Sequence, residues 1–362
     1  MLTGGGDCPG LNAVLRSITK GALRRGVEVV GIEDGFLGLI EDRMRPLDYA
    51  AVSNVLTLGG TILGSSNRAN PTRFQVGENP DGTPKFADVS ARCLEHASKA
   101  GLDALFVVGG DGTMACAEPM VEGGLPCIGL PKTIDNDILG TELTFGFQTA
   151  VATATDALDR VHTTAASHHR AITVELMGRN AGWLGLHAGI ASGSDVILLP
   201  EIPFDLATVG EFCERRARRG KRFTVLCVSE GARLSDGSQV VAATDPGSPD
   251  PIRLGGVGRA VAEWIDRETT VDARSVVLGH VQRGGGPVAA DRVLGTELGA
   301  HGLECLLAGN TNRMVVVRGG RVCDVPISEA IGGQRLVSAK DPLIAAARSV
   351  YTCFGDEVGP RP

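Results

Sequence analysis

Short apolar runs alternate with amphipathic helical patterns along most of this 362-residue chain. Such runs are typical of strands buried on both faces of a parallel sheet, so the alternation predicts an α/β layer fold. Because there are more runs than one sheet comfortably holds, we predict two doubly wound parallel-sheet domains. The predicted strands after the N-terminal one lie at 27–32, 104–108, 126–130, 171–176, 195–199, 223–229 and 275–278. The predicted helices include 89–100, 147–164 and 257–267, with others beginning near residues 11, 181 and 287 and one ending in an arginine-rich run.

Two segments depart from this alternation. Residues 231–257 are rich in Gly, Ser, Asp and Pro and poor in pattern, which predicts a surface excursion rather than a domain boundary. Arginines crowd the run 215–222. We interpret this run as a solvated helix end beside the C-terminal dipole rather than as a ligand site.

The composition excludes several classes of protein. Apolar residues make up 43% and charged residues 21%, a balance that a disordered chain does not have. No apolar run approaches the ~18 residues of a membrane span, and the opening Met-Leu-Thr-Gly-Gly-Gly lacks a signal-peptide pattern, so we expect a cytoplasmic protein. The net charge of −7 includes no basic block, which argues against nucleic acid as a partner. The nine scattered cysteines form no Cys-x-x-Cys pair, and free thiols in a reducing compartment are expected.

Glycine loops follow two of the strands, at the edge of the sheet where doubly wound folds bind ligands. The loops at 4–10 and 109–113 both lead into helices, and the N–H groups and positive dipole end of a helix N-terminus suit a polyphosphate. The chain has no Gly-x-x-x-x-Gly-Lys-Ser/Thr and therefore no P-loop. Asp111, inside the second loop, is a candidate Mg²⁺ ligand, although Gly-Asp-Gly is also an ordinary turn.

Other polar residues at strand ends supply the remaining parts of a phosphoryl-transfer site. Asp135 and Asp137 offer a candidate base and a second carboxylate, although such pairs also form self-capping turns. Candidate ligands for a second phosphate are Arg179, Arg274, His280 and Arg283. His280 alone is also compatible with a core histidine. A phosphate cradle, a metal ligand, a base and a cationic clamp together indicate phosphoryl transfer to a hydroxyl.

The chain resembles the 6-phosphofructokinase family over essentially its whole length. The matching segments are GGGDCPGLNAVLR (4–16), GGTILGSS (59–66), GGDGT (109–113), PKTIDND (131–137), SHHR (167–170), MGRNAGW (177–183), PEIPF (200–204) and RSVVLGHVQRGG (274–285). PKTIDND together with GHVQRGG is highly specific, whereas GGDGT also occurs in NAD kinases and lipid kinases. The resemblance is to an actinobacterial-type subgroup that contains both ATP- and pyrophosphate-dependent members.

This resemblance implies two Rossmann-like domains with the active site between them. Residues 1–146 plus 283–336 would form the phosphoryl-donor domain, 147–282 the sugar-phosphate domain, and 337–362 a C-terminal tail. In the family, Arg170 and Arg274 reach in from a neighbouring subunit. The resemblance therefore implies a homo-oligomer, a dimer or tetramer with shared active sites.

The resemblance also implies a role for each matching residue. Asp135 would be the general base for the sugar 1-hydroxyl, Asp111 would hold Mg²⁺, and Arg179 would stabilise charge on the transferred group. The donor site for ATP would contain Gly5, Arg68, Gly110, Asp111, Gly112 and Thr113. The site for fructose 6-phosphate would contain Thr133, Asp135, Arg170, Met177, Gly178, Arg179, Glu230, Arg274, His280 and Arg283.

Two residues bear on the identity of the phosphoryl donor. Pyrophosphate-dependent members carry an Asp at the position of Gly112, where its carboxylate takes the place of the ATP α-phosphate. Gly112 leaves that place open and favours ATP. Lys132 is instead similar to the pyrophosphate-dependent members, but it adds a phosphate partner without creating an obstacle to ATP. We therefore predict an ATP-dependent 6-phosphofructokinase of glycolysis, with the pyrophosphate-dependent enzyme as the alternative.

Other interpretations remain at this stage. The acceptor could be another sugar phosphate, such as sedoheptulose 7-phosphate. A non-catalytic sugar-phosphate-sensing subunit would be expected to lose Asp135, Asp111 or Arg179, and all three are present. A NAD or lipid kinase would lack GHVQRGG.

Three features depart from the family pattern. Glu33 stands where many ATP-dependent members have an aromatic residue near the nucleotide, and His162 stands where bacterial members have an effector-site Arg. The family also has a few more residues, with most of a central strand, before the position of Leu2. We therefore expect the native start to lie upstream of Met1.

Overall fold

The computed structural model describes residues 1–244 and 252–358 of the chain. Its strands, in chain order, are β1 (Leu2–Thr3), β2 (Val30–Ile32), β3 (Met44–Pro46), β4 (Phe74–Glu78), β5 (Pro84–Ala87), β6 (Leu105–Gly109), β7 (Cys127–Thr133), β8 (Phe145–Gly146), β9 (Ala171–Leu176), β10 (Val196–Leu198), β11 (Thr224–Ser229), β12 (Val241–Thr244), β13 (Ile252–Leu254), β14 (Ala273–Val277), β15 (Arg313–Arg318) and β16 (Arg321–Pro326). Its helices are α1 (Leu11–Leu23), α2 (Phe36–Glu41), α3 (Ser90–Lys99), α4 (Asp111–Ala115), α5 (Glu118–Glu122), α6 (Phe147–His168), α7 (Trp183–Ala191), α8 (Leu206–Arg218), α9 (Val257–Glu268), α10 (Ala289–Leu307) and α11 (Pro342–Ser349). Among these residues, no helix is both long enough and apolar enough to cross a membrane.

The first sheet has the strand order β1-β6-β7-β15-β16, with β8 paired to β7 off this path. Strands β1, β6, β7 and β15 run parallel, and the register places Val107 beside both Leu2 and Gly129. Strand β16 pairs antiparallel with β15 and forms the edge. Strands β6 and β7 are buried along their whole length, as expected of inner strands of a parallel sheet.

The second sheet has the strand order β10-β11-β9-β14, and all its strands are parallel. A continuous apolar core connects the two sheets, running from α1 and α10 through α6 to β9 and β11. The prediction of an α/β fold with two doubly wound parallel sheets is therefore confirmed. The loops that follow β6 and β9 come together at one cleft, which residues 331–334 also line.

Several predicted elements differ in detail from the structure. The strand predicted at 27–32 begins only at Val30 and pairs antiparallel with β3, outside both large sheets. Helix α6 continues past residue 164 to His168. The described part of 231–257 includes an exposed antiparallel ribbon, β12 with β13, in line with a surface excursion. The rest of that segment, 245–251, lies outside the described residues.

The arginine-rich end of α8 is not simply solvated, and this part of the prediction is wrong. Arg216 Nη2 lies 2.7 Å from Asp195 Oδ1, and both side chains are mostly buried. Arg215 donates to the carbonyl of Val358, which connects the helix to the tail. Arg218 fits the prediction better, because it is exposed and pairs with Glu214 one helical turn away.

Candidate active site

The first glycine loop connects β1 to α1, and its first amides are used inside the protein. Gly4 N donates to Val108 O (2.9 Å) and Gly5 N donates to Ser66 O (3.0 Å). A Cβ at Gly5 would lie 3.3 Å from Lys132 Nζ and 3.5 Å from Thr113 Oγ1. These bonds correct the expectation that this loop presents unobstructed N–H groups. Gly5 lies beside Lys132 and Thr113, but its own N–H is already bonded.

The second glycine loop connects β6 to α4 and leads directly into the N-terminus of that helix. The N–H groups of Thr113 and Met114 both donate to Gly110 O, so the N–H groups of Asp111 and Gly112 precede the first helical bond. Asp111 and Gly112 are exposed. A Cβ at Gly112 would meet no atom within 4 Å, which leaves open space at this position.

The turn after β7 carries two buried carboxylates, Asp135 and Asp137. Asp135 N donates to Thr133 Oγ1 (3.0 Å), and the Thr133 hydroxyl lies 3.4 Å from Asp135 Oδ2. Asp135 Oδ1 is buried and has no hydrogen-bond partner among the described residues. Burial raises the pKa of Asp135, against the opposing effects of the Arg283, Arg179 and Lys132 charges. The turn therefore presents a carboxylate that is held by Thr133 yet has one oxygen left to react.

The second carboxylate of this turn is within electrostatic range of the second glycine loop. Burial, together with the negative charges of Asp135 and Asp111, raises the pKa of Asp137 to about 7. Gln334, which donates to Asp137 Oδ2 (2.8 Å), lines the same cleft as Asp111. Oxygen ligands of this kind are those that Mg²⁺ prefers, one or two carboxylates alongside phosphate oxygens. The residues present fit Mg²⁺.

Two cationic side chains flank the carboxylates. Lys132 is buried and donates through Nζ to Gly6 O. Burial lowers the pKa of Lys132, while the charges of Cys8 and Asp135 act in the other direction. Arg283 donates through Nη1 to Asp7 O (3.1 Å), which ties the GHVQRGG segment to the first glycine loop.

Arg179 follows β9 in a strained turn that its neighbours enforce. Its φ is +49°, a left-handed conformation that few non-glycine residues adopt. A Cβ at Gly231 would lie 1.7 Å from Arg179 O, so only glycine fits where the two loops cross. Arg179 N donates to Glu230 Oε1 (3.2 Å), and burial is the main cause that raises the pKa of Glu230 to about 7.

A cleft of about 420 Å³ brings several of these residues together. Its lining is Asp111, Gly112, Ala115, Arg179, Asn180, Ile331, Gly332, Gly333 and Gln334. The cleft therefore unites predicted residues of the donor site with the predicted charge-stabilising Arg179. Sequence reasoning missed the wall formed by 331–334, for which the Gly332–Gly333 pair is the one local signal of a special turn.

Some predicted site residues lie elsewhere in this chain. Arg170 precedes β9, and Arg274 is near the start of β14, so both lie at the amino ends of strands whose carboxyl ends lead to Arg179 and His280. A six-residue strand separates its ends by roughly 20 Å. Both arginines pair with Asp272, at 2.5 Å each. A single copy of the chain therefore does not bring them to the site of Arg179.

The remaining predicted residues lie around the edge of the site. Thr113 and Gly178 are buried, Met177 is half-buried, and His280 and Arg68 are exposed. Arg68 N donates to Ser66 Oγ (3.3 Å), next to the bond between Ser66 and Gly5. The Glu33 carboxylate pairs with two arginines, Arg45 at 3.5 Å and Arg43 at 3.7 Å.

Comparison with known proteins agrees with this geometry. Residues 1–306 match the phosphofructokinase family. The chain belongs to this family. It is 46% identical to ATP-dependent 6-phosphofructokinase 2 of Clostridium perfringens, over 98% of each chain. It is 45% identical to a pyrophosphate–fructose 6-phosphate 1-phosphotransferase of Streptomyces coelicolor, over 97% of this chain and 98% of that one.

A solved structure shares the fold of this phosphofructokinase. The pyrophosphate-dependent phosphofructokinase of Marinobacter aquaeolei superposes with a TM-score of 0.78 at 20% identity, covering 99% of this chain and 92% of that one. At this identity the likeness supports the fold alone. The resemblance to 6-phosphofructokinases drawn from the sequence, including a subgroup with both kinds of donor, is confirmed.

Proposed function

We propose that this phosphofructokinase transfers the terminal phosphoryl group of ATP to the 1-hydroxyl of fructose 6-phosphate, as an ATP-dependent 6-phosphofructokinase of glycolysis. The observation that carries the proposal is the buried Asp135, whose Oδ1 has no hydrogen-bond partner among the described residues. The positive charges of Arg283, Arg179 and Lys132 lower the pKa of Asp135, in opposition to burial. A buried carboxylate kept basic by its surroundings is suited to take a proton from a hydroxyl. Relatives with this activity at 44–46% identity support the same conclusion.

In this mechanism Asp135 acts as the general base. The proton of the sugar 1-hydroxyl passes to the Asp135 carboxylate while the hydroxyl oxygen of the sugar bonds to the γ-phosphorus of ATP. The bond between the γ-phosphorus and the β–γ bridging oxygen breaks, and ADP leaves. Thr133 fixes the backbone of the turn, because Asp135 N donates to Thr133 Oγ1 (3.0 Å), and the Thr133 hydroxyl lies 3.4 Å from Asp135 Oδ2. Arg179 stabilises the charge that spreads over the transferred group, the term that dominates such reactions.

Asp111, with Asp137 nearby, would hold Mg²⁺ at the start of α4. Mg²⁺ held by these carboxylates would supply positive charge that offsets the negative charge of the donor phosphates. Gly110, Gly112 and Thr113 would line the donor site around it, with Gly5 behind them and Arg68 at the edge.

Open space at Gly112 supports ATP as the donor, because a nucleotide α-phosphate needs the volume that an acidic side chain would fill. One observation favours a second candidate, a pyrophosphate-dependent enzyme. The buried Lys132 ammonium donates to Gly6 O in the first glycine loop, where it could bind a phosphate of the compact pyrophosphate donor. We rank ATP first because Lys132 removes no space from the cleft.

The sugar phosphate would lie along the carboxyl edge of the second sheet. Met177, Gly178 and Glu230 would position the sugar, and His280 and Arg283 would bind its 6-phosphate. Arg170 and Arg274 would complete that phosphate site from a second copy of the chain, since their own strands carry them to the opposite end. This arrangement makes the active form a homo-oligomer, a dimer or tetramer.

The placement of the sheets supports a division of labour along the chain. The strands of the first sheet fall within 1–146 and 283–336, and those of the second fall within 147–282. We assign donor binding to the first unit and sugar-phosphate binding to the second, with 337–362 as a tail.

The test is a coupled assay of fructose 1,6-bisphosphate formation with fructose 6-phosphate and Mg²⁺. Parallel reactions contain ATP or pyrophosphate. Turnover with ATP at a kcat/KM well above that with pyrophosphate is expected. Turnover with pyrophosphate alone would contradict the donor assignment, and absence of turnover with both would contradict the proposed function. Sedoheptulose 7-phosphate in place of fructose 6-phosphate tests the acceptor.

A further inference from the structure

The segment 331–337 crosses the active-site cleft after β16 and before α11, and we call it the strap. It lies outside the residues that match the family, 1–306. The resemblance drawn from the sequence places 331–336 in the donor domain and residue 337 in the tail, and it assigns no site role to any of these residues. The strap's hydrogen bonds run to the turn that follows β7 of the first sheet and to residues that follow β9 and β10 of the second.

At its first anchor the strap holds the turn that carries the catalytic carboxylate. Gln334 Nε2 donates to Asp137 Oδ2 (2.8 Å), and Arg335 N donates to Asp137 O (2.7 Å). Arg335 Nη1 also donates to Asn136 O (3.1 Å). Three bonds therefore connect two strap residues to the two residues immediately after Asp135.

At its second anchor the strap holds the start of α7, directly after the loop of Arg179. Trp183 Nε1 donates to Arg335 O (2.8 Å), and the Arg335 guanidinium stacks over the Trp183 ring at 3.9 Å. Glu201 Oε1 accepts from both Gly182 N and Val337 N, at 2.9 Å each. Glu201 thereby joins the strap to the loop through one carboxylate oxygen.

The first strap residues, 331–334, line the cleft that also contains Asp111, Gly112 and Arg179. The strap is therefore a direct connection between the loop of the general base and the loop of the charge-stabilising arginine. Phosphoryl transfer requires these two groups at a fixed separation, and misplacement by about 1 Å costs on the order of 10²-fold in rate.

We propose that the strap sets the separation between the Asp135–Asp137 turn and the Arg179 loop, and that Gln334 and Glu201 are positioning residues for phosphoryl transfer. This inference rests on the proposed function for its catalytic consequence. Gln334 acts by orienting the Asp137 carboxylate, and Glu201 acts by tying Val337 to Gly182. Neither residue is assigned contact with the reacting atoms.

The first experiment compares Gln334→Ala with wild type in the coupled assay. The expected result is a fall in kcat of about 10- to 100-fold with KM for fructose 6-phosphate within about twofold of wild type. Gln75→Ala is the matched control, because Gln75 is an exposed glutamine whose side chain, among the residues that the structure describes, bonds only within its own hairpin, to Gly77 O. A kcat for Gln334→Ala equal to that of the control would overturn the role of Gln334.

The second experiment compares two substitutions of Glu201. Glu201→Gln keeps a carbonyl oxygen that accepts both N–H groups, so kcat is expected to stay close to wild type. Glu201→Ala removes the acceptor and is expected to lower kcat as Gln334→Ala does. Equal loss in both variants would show that the charge of Glu201, rather than its two accepted hydrogen bonds, matters, and would contradict the proposal.

A third measurement needs no turnover. Amide hydrogen exchange of the wild-type protein is expected to show protection at Arg335 and Val337, because both amides are hydrogen-bonded across the cleft. In Gln334→Ala this protection should persist, since the backbone bonds remain. Unprotected amides in wild type would overturn the strap even in an active enzyme. Protected amides in a protein inactive with both donors would refute the proposed function while retaining the strap.

Discussion

Replacing Gly112 with Asp should abolish efficient use of ATP without unfolding the protein. A Cβ at this position meets no atom within 4 Å, and Gly112 is not among the glycines with positive φ, so the new side chain introduces no backbone strain. The added carboxylate would share the cleft with Asp111 and Arg179. At ~5 Å and an effective dielectric constant of ~20, one like-charge contact with a phosphate costs about 3 kcal/mol, or on the order of 10²-fold in kcat/KM.

The assay measures kcat/KM for ATP and for pyrophosphate in Gly112→Asp, Gly112→Asn and Gly112→Ala. Asn has the size of Asp without its charge, and Ala adds only the Cβ. We expect a loss of about 10²-fold for ATP with Asp, a smaller loss with Asn, and little change with Ala, with the thermal midpoint of unfolding retained in all three. Unchanged ATP kinetics in Gly112→Asp would refute the argument that open space at this residue admits the nucleotide.

Three further predictions follow from the site. Asp135→Ser should lower kcat by about 10³-fold or more with little change in sugar KM, as expected for loss of a general base, and near wild-type turnover would rule out that role. Burial raises the pKa of Glu230 from 4.5 to about 7. Between these two pH values the folded state holds a proton that the unfolded state has released. The free energy of unfolding therefore falls as the pH rises from 4.5 to about 7. In urea unfolding between pH 5 and 8, the free energy of unfolding of Glu230→Gln should therefore fall by about 2 kcal/mol less than that of wild type. The same pH dependence of this free energy in both proteins would exclude the effect. Mixing inactive Asp135→Ser with inactive Arg274→Ala subunits should restore turnover, because a site with Asp135 from one copy and Arg274 from the other is intact. Continued inactivity in demonstrated mixed oligomers would contradict shared sites.

Much of the candidate site could be predicted because its residues follow long buried strands. The apolar runs of β6, β7 and β9 locate their own carboxyl ends. The positions of Asp111 and Asp135 at the carboxyl edge of the first sheet, and of Arg179 at that of the second, therefore follow from a local pattern. The specificity of PKTIDND and GHVQRGG then assigns roles that the pattern alone leaves open. The two parallel sheets were predictable for the same reason.

The parts that could not be predicted depend on contacts between residues far apart in the chain. The bonds from Gln334 to Asp137 and from Val337 to Glu201 join residues more than 130 positions apart, and no local pattern reports them. The edge hairpin of β15 and β16 is a different case. Its Gly319–Gly320 turn, with both φ values positive, is a two-residue hairpin signal that was available in the sequence.

The resemblance implies that Arg170 and Arg274 reach the sugar-phosphate site from a neighbouring subunit. The structure adds what the resemblance does not give, their place at the amino ends of the parallel strands β9 and β14. The ion pairs of both with Asp272 hold them together at that far end.

The most direct test of the central claim is a competition between donors in one reaction. Purified protein is given fructose 6-phosphate, Mg²⁺, and equal concentrations of ATP and pyrophosphate, and the products are followed by phosphorus NMR. The account predicts that the ATP γ-phosphate signal converts to a sugar 1-phosphate signal with formation of ADP, while pyrophosphate persists. Conversion of pyrophosphate to orthophosphate and sugar bisphosphate, with ATP intact, would contradict it.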